Sequence, residues 1–318
     1  MKICFLGQGK EICVIGDKLL QENHEIVGIL TYPKEDHMAD SLEHKFEKKQ
    51  NVYSSIFNYS VYNKIPLHES SNFNLPETIK WVKDKKPELL ISWRNRSILK
   101  HDFLSLFEKK IINIHIGKLP EYRGSGAMSW MILNNEIETA VTYHFIDKDV
   151  DSGEIITQVP FKINKGSYPI DIYKIASDII INTCPEVIEM FKKDTISVEK
   201  QNEVNSTCFP RLRTIEDGKI DFNSSASEIE RMVRAFGWPY AGAFAFNKEK
   251  KIHFGRVMVL QSEKLFHSYT NGLVVSKDPI KGSITIIAGG EKLEVLTIRS
   301  GNEEIPAQQV LKIGMRIL

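Results

Sequence analysis

The chain has 318 residues, 42% of them hydrophobic and 26% charged, a composition that excludes wholesale disorder and supplies ample material for a core. Its 42 Lys+Arg against 41 Asp+Glu leave a formal charge of +1, so no global field draws it to nucleic acid or to an anionic membrane. At this length about two domains are expected.

In chain order, residues 3–6 are a short apolar run, 10–23 read as helix, and 25–31, rich in branched residues, as strand. The charged stretch 33–49 reads as an exposed loop or surface helix. Residues 78–86 read as helix, and 88–93 and 111–115 as strands of the buried type. This alternation predicts an α/β fold, a parallel sheet covered by helices. Residues 127–134 fit a helix, 140–146 a strand, and 168–193 the longest helix. The polar stretch 195–213 reads as a linker between a first domain, 1–194, and a second, 214–318. There, 224–236 is an amphipathic helix capped by Ser224 or Ser225. The runs 243–246, 251–260, 272–276, 283–288 and 292–298, punctuated by glycine, predict a small β-barrel-like module.

Cys4, Cys13, Cys184 and Cys208 show no C-x-x-C pair and no histidine at zinc spacing, which speaks against a disulfide framework or structural zinc. No apolar run reaches the roughly 18 residues of a membrane helix, and MKICFLGQGKE is a poor signal peptide. A soluble, cytoplasmic protein with reduced thiols is expected.

Gly7-Gln8-Gly9 follows the first strand, but Ile12 stands where a dinucleotide fingerprint needs glycine, and a tight turn explains the pair equally well. Asn113 and His115, two apart on a strand, share a face just before the loop 117–124. An amide donor beside an imidazole suits acyl transfer, and a satisfied structural pair fits the same spacing. Asp151, in the loop 147–153, could orient His115 if the two strand ends are neighbours, or could simply belong to a turn. There is no G-x-S-x-G, H-E-x-x-H or P-loop.

Taken together, N-I-H at 113–115, L-P-E-Y-R-G at 119–124 and D-V-D-S-G at 149–153 resemble the signature of folate-dependent formyltransferases. The stretches P-E-L-L-I-S at 87–92, T-C-F-P-R-L-R-T-I-E-D-G-K-I-D-F at 207–222 and W-P-Y-A-G-A-F at 238–244 extend the likeness over essentially the whole chain. Within that family the pattern is most similar to N-formyltransferases of nucleotide-linked amino sugars, the aminoarabinose type above all. The resemblance implies a Rossmann-like first domain with helices on both faces of a mostly parallel sheet, and an OB-like second domain. It implies N10-formyltetrahydrofolate as cosubstrate, a sugar carried on UDP, dTDP or GDP as partner, no metal, a homodimer, and a place in lipopolysaccharide or O-antigen biosynthesis. Asn113, His115 and Asp151 fall on the catalytic positions. Ser97, Ile98, Leu99, Leu119, Pro120, Ser125, Asp147 and Val150 fall on positions around the folate, although Ser125 stands where the aminoarabinose enzyme has arginine. Ile116-Gly117-Lys118 also departs from the usual Ser-Leu-Leu-Pro run. Trp93, Arg94, Arg123 and Arg211 are candidates for stacking on the base or sugar and for holding a diphosphate, beside packing and surface roles.

The rival within the family is methionyl-tRNA formyltransferase, which carries a basic loop after the second strand. Here the matching stretch 33–49 holds four lysines against five acids, net −1, which is a poor phosphate-binding surface. Glycinamide ribonucleotide formyltransferases would end near residue 200, and the extra residues speak against them.

Overall fold

Apolar side chains on both faces make β1 (Lys2–Gly7), β2 (Glu25–Thr31), β4 (Leu89–Trp93) and β5 (Ile111–Ile116) strands of a fully covered sheet. With β3 (Leu67–Glu69), β7 (Glu138–Phe145) and β8 (Ile155–Lys162) they form a seven-stranded sheet in the order β3-β2-β1-β4-β5-β7-β8. Pairing is parallel from β3 through β5 and antiparallel at β5–β7 and β7–β8. Two short segments, β6 (Arg123–Gly124) and β9 (Cys208–Phe209), pair in parallel apart from that sheet. The computed structural model describes residues 1–37, 55–261, 263–301 and 303–318. Most of the charged stretch, 38–49, lies outside the described residues.

The helix Lys10–Gln21 buries Ile12, Ile15 and Leu19, a three-to-four spacing that presents one apolar face. Gly7, at φ +112, and Gly9, at φ +115, make the turn into it. At Gly7 a Cβ would collide with the Trp93 carbonyl, to which the Gln8 N–H donates at 3.1 Å. The Gly-x-Gly therefore serves a close backbone approach in this structure. The helix Pro169–Lys192 contains Pro185, which has no N–H for the carbonyl of Ile181. Lys18 Nζ donates to that carbonyl instead, at 2.9 Å. Strand β8 was not anticipated from the sequence. Its Pro160 and polar Gln158 and Lys162 weaken the strand pattern, and its place at the sheet edge tolerates them.

Contacts divide the chain into two units. The first is Met1–Gly124, Glu138–Lys162 and Lys174–Phe209; the second is Ser125–Ile137, Ile163–Tyr173 and Pro210–Leu318. In the second, the helix Ala226–Ala235 begins with a capping box in which Ser225 and Glu228 bond each other's backbone N–H. Two four-stranded antiparallel sheets follow. One runs β10 (Phe244–Asn247), β11 (Lys250–Phe254), β16 (Thr297–Ser300), β17 (Glu303–Pro306). The other runs β12 (Val257–Leu260), β15 (Glu291–Val295), β14 (Ser283–Ala288), β13 (Val274–Asp278). The single run expected at 251–260 is thus two strands that join different sheets. Among the described residues no helix is long and apolar enough to cross a membrane.

Candidate active site

The alternation of β5, I-I-N-I-H-I, places Asn113 and His115 on one face of the strand. Antiparallel pairing with β7 sets His144 opposite Asn113 and Thr142 opposite His115. The connection from β7 to β8 then delivers Asp151, whose backbone is left-handed at φ +50. The structure therefore gathers the three predicted residues and adds His144.

The distances define the chemistry. Asp151 Oδ2 accepts the Gly124 N–H at 2.9 Å and lies 3.6 Å from His115 Nδ1. Asp151 Oδ1 lies 3.4 Å from Asn113 Nδ2 and 3.5 Å from His144 Nε2. His115 Nε2 lies 2.6 Å from the Tyr122 carbonyl, so this nitrogen carries the proton and Nδ1 faces the carboxylate. Both ring nitrogens thus face oxygen atoms. A Cβ on Gly117 would come 2.6 Å from His115 Nε2, so glycine here gives the imidazole its place. His144 Nδ1 donates to the Phe145 carbonyl at 2.8 Å, which leaves Nε2 to accept from Asn113 Nδ2 at 3.1 Å.

Burial of Asp151 opposes its ionisation. The nearby His115 and His144 rings and the Gly124 N–H outweigh it and hold the carboxyl well below the usual range. Asp151 is a fixed anion at neutral pH. The side chains of His115 and Asp151 remain 10% and 14% exposed, enough to meet a ligand edge.

The other predicted site residues are distributed as follows. Leu119 and Pro120 lie on the loop that follows His115, with Leu119 buried and its carbonyl accepting from Gln158 Nε2 at 2.9 Å. Asp147 and Val150 are exposed on the loop that carries Asp151. Ser97, Ile98 and Leu99 leave β4. The Ser97 N–H bonds Tyr32 Oη at 2.8 Å and Asn95 Oδ1 at 2.9 Å, Ile98 is 65% exposed, and Leu99 is in the core. Ser125 and Arg211 are exposed and belong to the second unit.

Two substrate candidates need correction. Trp93 is 3% exposed and its indole N–H donates to Glu11 Oε2 at 3.0 Å, so its ring packs in the core and has no face for a base. Arg123 is 8% exposed, and its guanidinium is engaged within the chain. Nη1 and Nη2 bind Glu203 at 2.9 and 2.7 Å, and Nε binds Gln201 Oε1 at 2.9 Å. A diphosphate would have to displace all three bonds. Arg94 is half-buried at φ +51.

Sequence reasoning missed His144, the Tyr122 carbonyl and Gln201, whose Nε2 donates to the carbonyls of Asp151 and Gly153 at 2.8 and 2.7 Å. The signal for His144 was a histidine at an otherwise apolar position of 140–146, visible only with the strand register in hand. Glu22, His24 and Glu189 bring ligand-type atoms within 4.8 Å of one another. Glu189 is already bound by His24 Nε2 at 2.8 Å and Lys192 Nζ at 3.0 Å, which makes the group an ion-pair cluster.

Comparison with known proteins gives a consistent picture. Residues 1–188 match the family model described as formyl transferase, and residues 213–313 match the formyl transferase C-terminal domain. The bifunctional polymyxin resistance protein ArnA of Wigglesworthia glossinidia brevipalpis is 29% identical over 271 residues, 82% of this chain. The chain spans 38% of that relative's length. WlaRD, a sugar 3N-formyl transferase solved with dTDP and 5-N-formyl-THF, is 21% identical at a TM-score of 0.64, over 93% of this chain and 97% of its own. The N-formyltransferase of Helicobacter canadensis, solved with folinic acid and dTDP-3-aminofucose, is 20% identical at 0.63, over 93% and 99%. The methionyl-tRNA formyltransferase of Clostridium thermocellum is 18% identical at 0.53, over 83% and 95%. For the three structures the likeness is one of fold.

Proposed function

The chain is a member of the formyl transferase family, and from that premise we propose that it moves a formyl group from N10-formyltetrahydrofolate to the amine of a nucleotide-linked amino sugar. The observation that carries the reading is the meeting of Asn113, His115 and Asp151, from β5 and the β7–β8 loop, within 3.6 Å of the Asp151 carboxylate. Two of the structures that share the fold hold a formylated folate with a dTDP or a dTDP-amino sugar, and ArnA is similar in sequence over most of this chain.

The cosubstrate supplies a formyl carbon already activated on nitrogen, so the protein has to orient, take a proton and answer an oxyanion. A neutral amine attacks that carbon and the new C–N bond forms; the bond from the carbon to the folate nitrogen then breaks, and that nitrogen leaves with the proton that His115 has taken from the amine. His115 Nδ1 accepts the amine's proton, and Asp151 balances the imidazolium. Asn113 gives one N–H to His144. The second, whose contact with Asp151 is long at 3.4 Å, serves the developing oxyanion. Acid–base groups of this kind contribute about 10²–10⁴-fold and an oxyanion donor about 10²–10³-fold. The 97–99 segment, tied to Tyr32 and Asn95, and Leu119–Pro120 supply the folate wall. Residues 1–194 are the catalytic domain in this reading, and 214–318 an OB-like second domain.

The test is incubation with N10-formyltetrahydrofolate and a panel of UDP-, dTDP- and GDP-linked amino sugars, beside charged initiator tRNA, read by mass spectrometry. Addition of one formyl group to a single nucleotide sugar supports the reading. Formylation of the tRNA alone overturns it and installs methionyl-tRNA as the acceptor.

A further inference from the structure

We infer that Gln201, held by Arg123 and Glu203, is a positioning residue for the Asp151 carboxylate, and that the segment 199–209 acts as a strap across the catalytic loop. The inference rests on the formyl-transfer reading of Asn113, His115 and Asp151.

Asp151 adopts a left-handed backbone at φ +50, a region that aspartate enters more readily than most non-glycine residues but still at a cost. Two devices hold it there. The first is the Gly124 N–H, which binds the carboxylate at 2.9 Å. The second is the Gln201 side-chain amide, whose two N–H groups bind the backbone carbonyls of Asp151 at 2.8 Å and Gly153 at 2.7 Å, bracketing the turn. Gln201 has no freedom to flip, because its Oε1 accepts the Arg123 Nε–H at 2.9 Å.

Arg123 in turn is fixed. Its fork grips Glu203 through both carboxylate oxygens, the bidentate geometry that gives an ion pair its orientation. Its backbone is paired in β6 against Cys208 of β9. Residue 199 is bridged to Ile155 of β8 by two 2.8 Å bonds, so the strap is tied on both sides of Gln201. Arg123 therefore anchors both contacts with Asp151: its neighbour Gly124 holds the carboxylate, and its guanidinium holds the glutamine that holds the backbone. A site that needs a carboxylate 3.6 Å from an imidazole has little tolerance for a shift of this loop.

The experiment compares the wild type with Gln201→Ala and Arg123→Lys, using saturating formylfolate and the accepted amino sugar. It is joined by ¹⁵N spectra of the histidine rings without substrate. Gln201→Ala is expected to lower kcat about ten- to hundredfold, in line with the cost of a misplaced catalytic group, with KM for the folate within about threefold. The ring signals of His115 and His144 should move while those of His68 and His253 stay. Arg123→Lys keeps the charge but loses the Nε–H, and should show the same pattern at roughly three- to tenfold. Unmoved ring signals with kcat within about twofold of wild type, or a change in KM alone, overturn the inference. If Gln201→Ala does not fold, Arg123→Lys decides by the same two criteria. A wild type that formylates nothing would defeat the functional reading, while the ring signals would still report whether the strap sets His115 and His144.

Discussion

Two buried polar clusters in the first unit can be set side by side. In one, Glu11 takes the Trp93 indole N–H at 3.0 Å and the Ser177 hydroxyl at 2.6 Å, and is completely enclosed. In the other, Asp151 faces His115 and His144 at 3.6 and 3.5 Å, with its side chain 14% open and its strongest bond a backbone N–H. The first cluster has short bonds and no exit, so it joins a helix start to a strand end and a second helix. The second keeps longer contacts and partly open edges, where a proton can arrive and leave. A buried carboxyl group marks both, and geometry separates structure from chemistry.

That contrast can be broken or sharpened by mutation. The largest effect belongs to His115→Ala and Asp151→Asn, each expected to lower kcat by about 10²–10⁴-fold with the melting transition nearly in place. Collapse of folding with turnover preserved per folded molecule would put this cluster in the same class as Glu11. Next comes Asn113→Ala, expected to cost about 10²–10³-fold in kcat, with less effect on either KM. Glu11→Ala should do the converse. It strands two buried donors at about 1–3 kcal/mol each, seen as an earlier denaturant midpoint, while kcat of the folded enzyme stays near wild type. A kcat defect without destabilisation would contradict the comparison.

The smallest effect is in pH dependence. The native Asp151 carboxyl is held below its unfolded value, which is about 3.9, so the unfolded chain binds the proton more readily. The carboxylate's contribution to stability is therefore fully present above about pH 4 and is lost as pH falls. The stability gap between wild type and Asp151→Asn should narrow in acid, as urea titrations at successive pH values can read.

Much of this site was legible before the fold. The N-x-H alternation on an apolar strand fixed a shared face for Asn113 and His115, because strand periodicity is local. Asp151 was legible only as a turn residue that needed a neighbour, since its meeting with His115 depends on β7 pairing with β5 across 30 or so residues. His144 was hidden for the same reason. Trp93 and Arg123 misled because a one-dimensional pattern does not say which partner a side chain finds. Glu11 lies 82 residues from Trp93, and Glu203 lies 80 from Arg123. Gln201 sat in a stretch whose polarity spoke only of a linker.

The central claim is that a carboxylate-supported imidazole drives formyl transfer at the end of β5. It is tested most directly by measuring, for Asp151→Asn, the single-turnover rate of formyl transfer and the affinity for N10-formyltetrahydrofolate in the same preparation. The account predicts a rate lowered by at least about a hundredfold with affinity within a few fold of wild type. A rate near wild type, or a loss carried wholly by affinity, would contradict it.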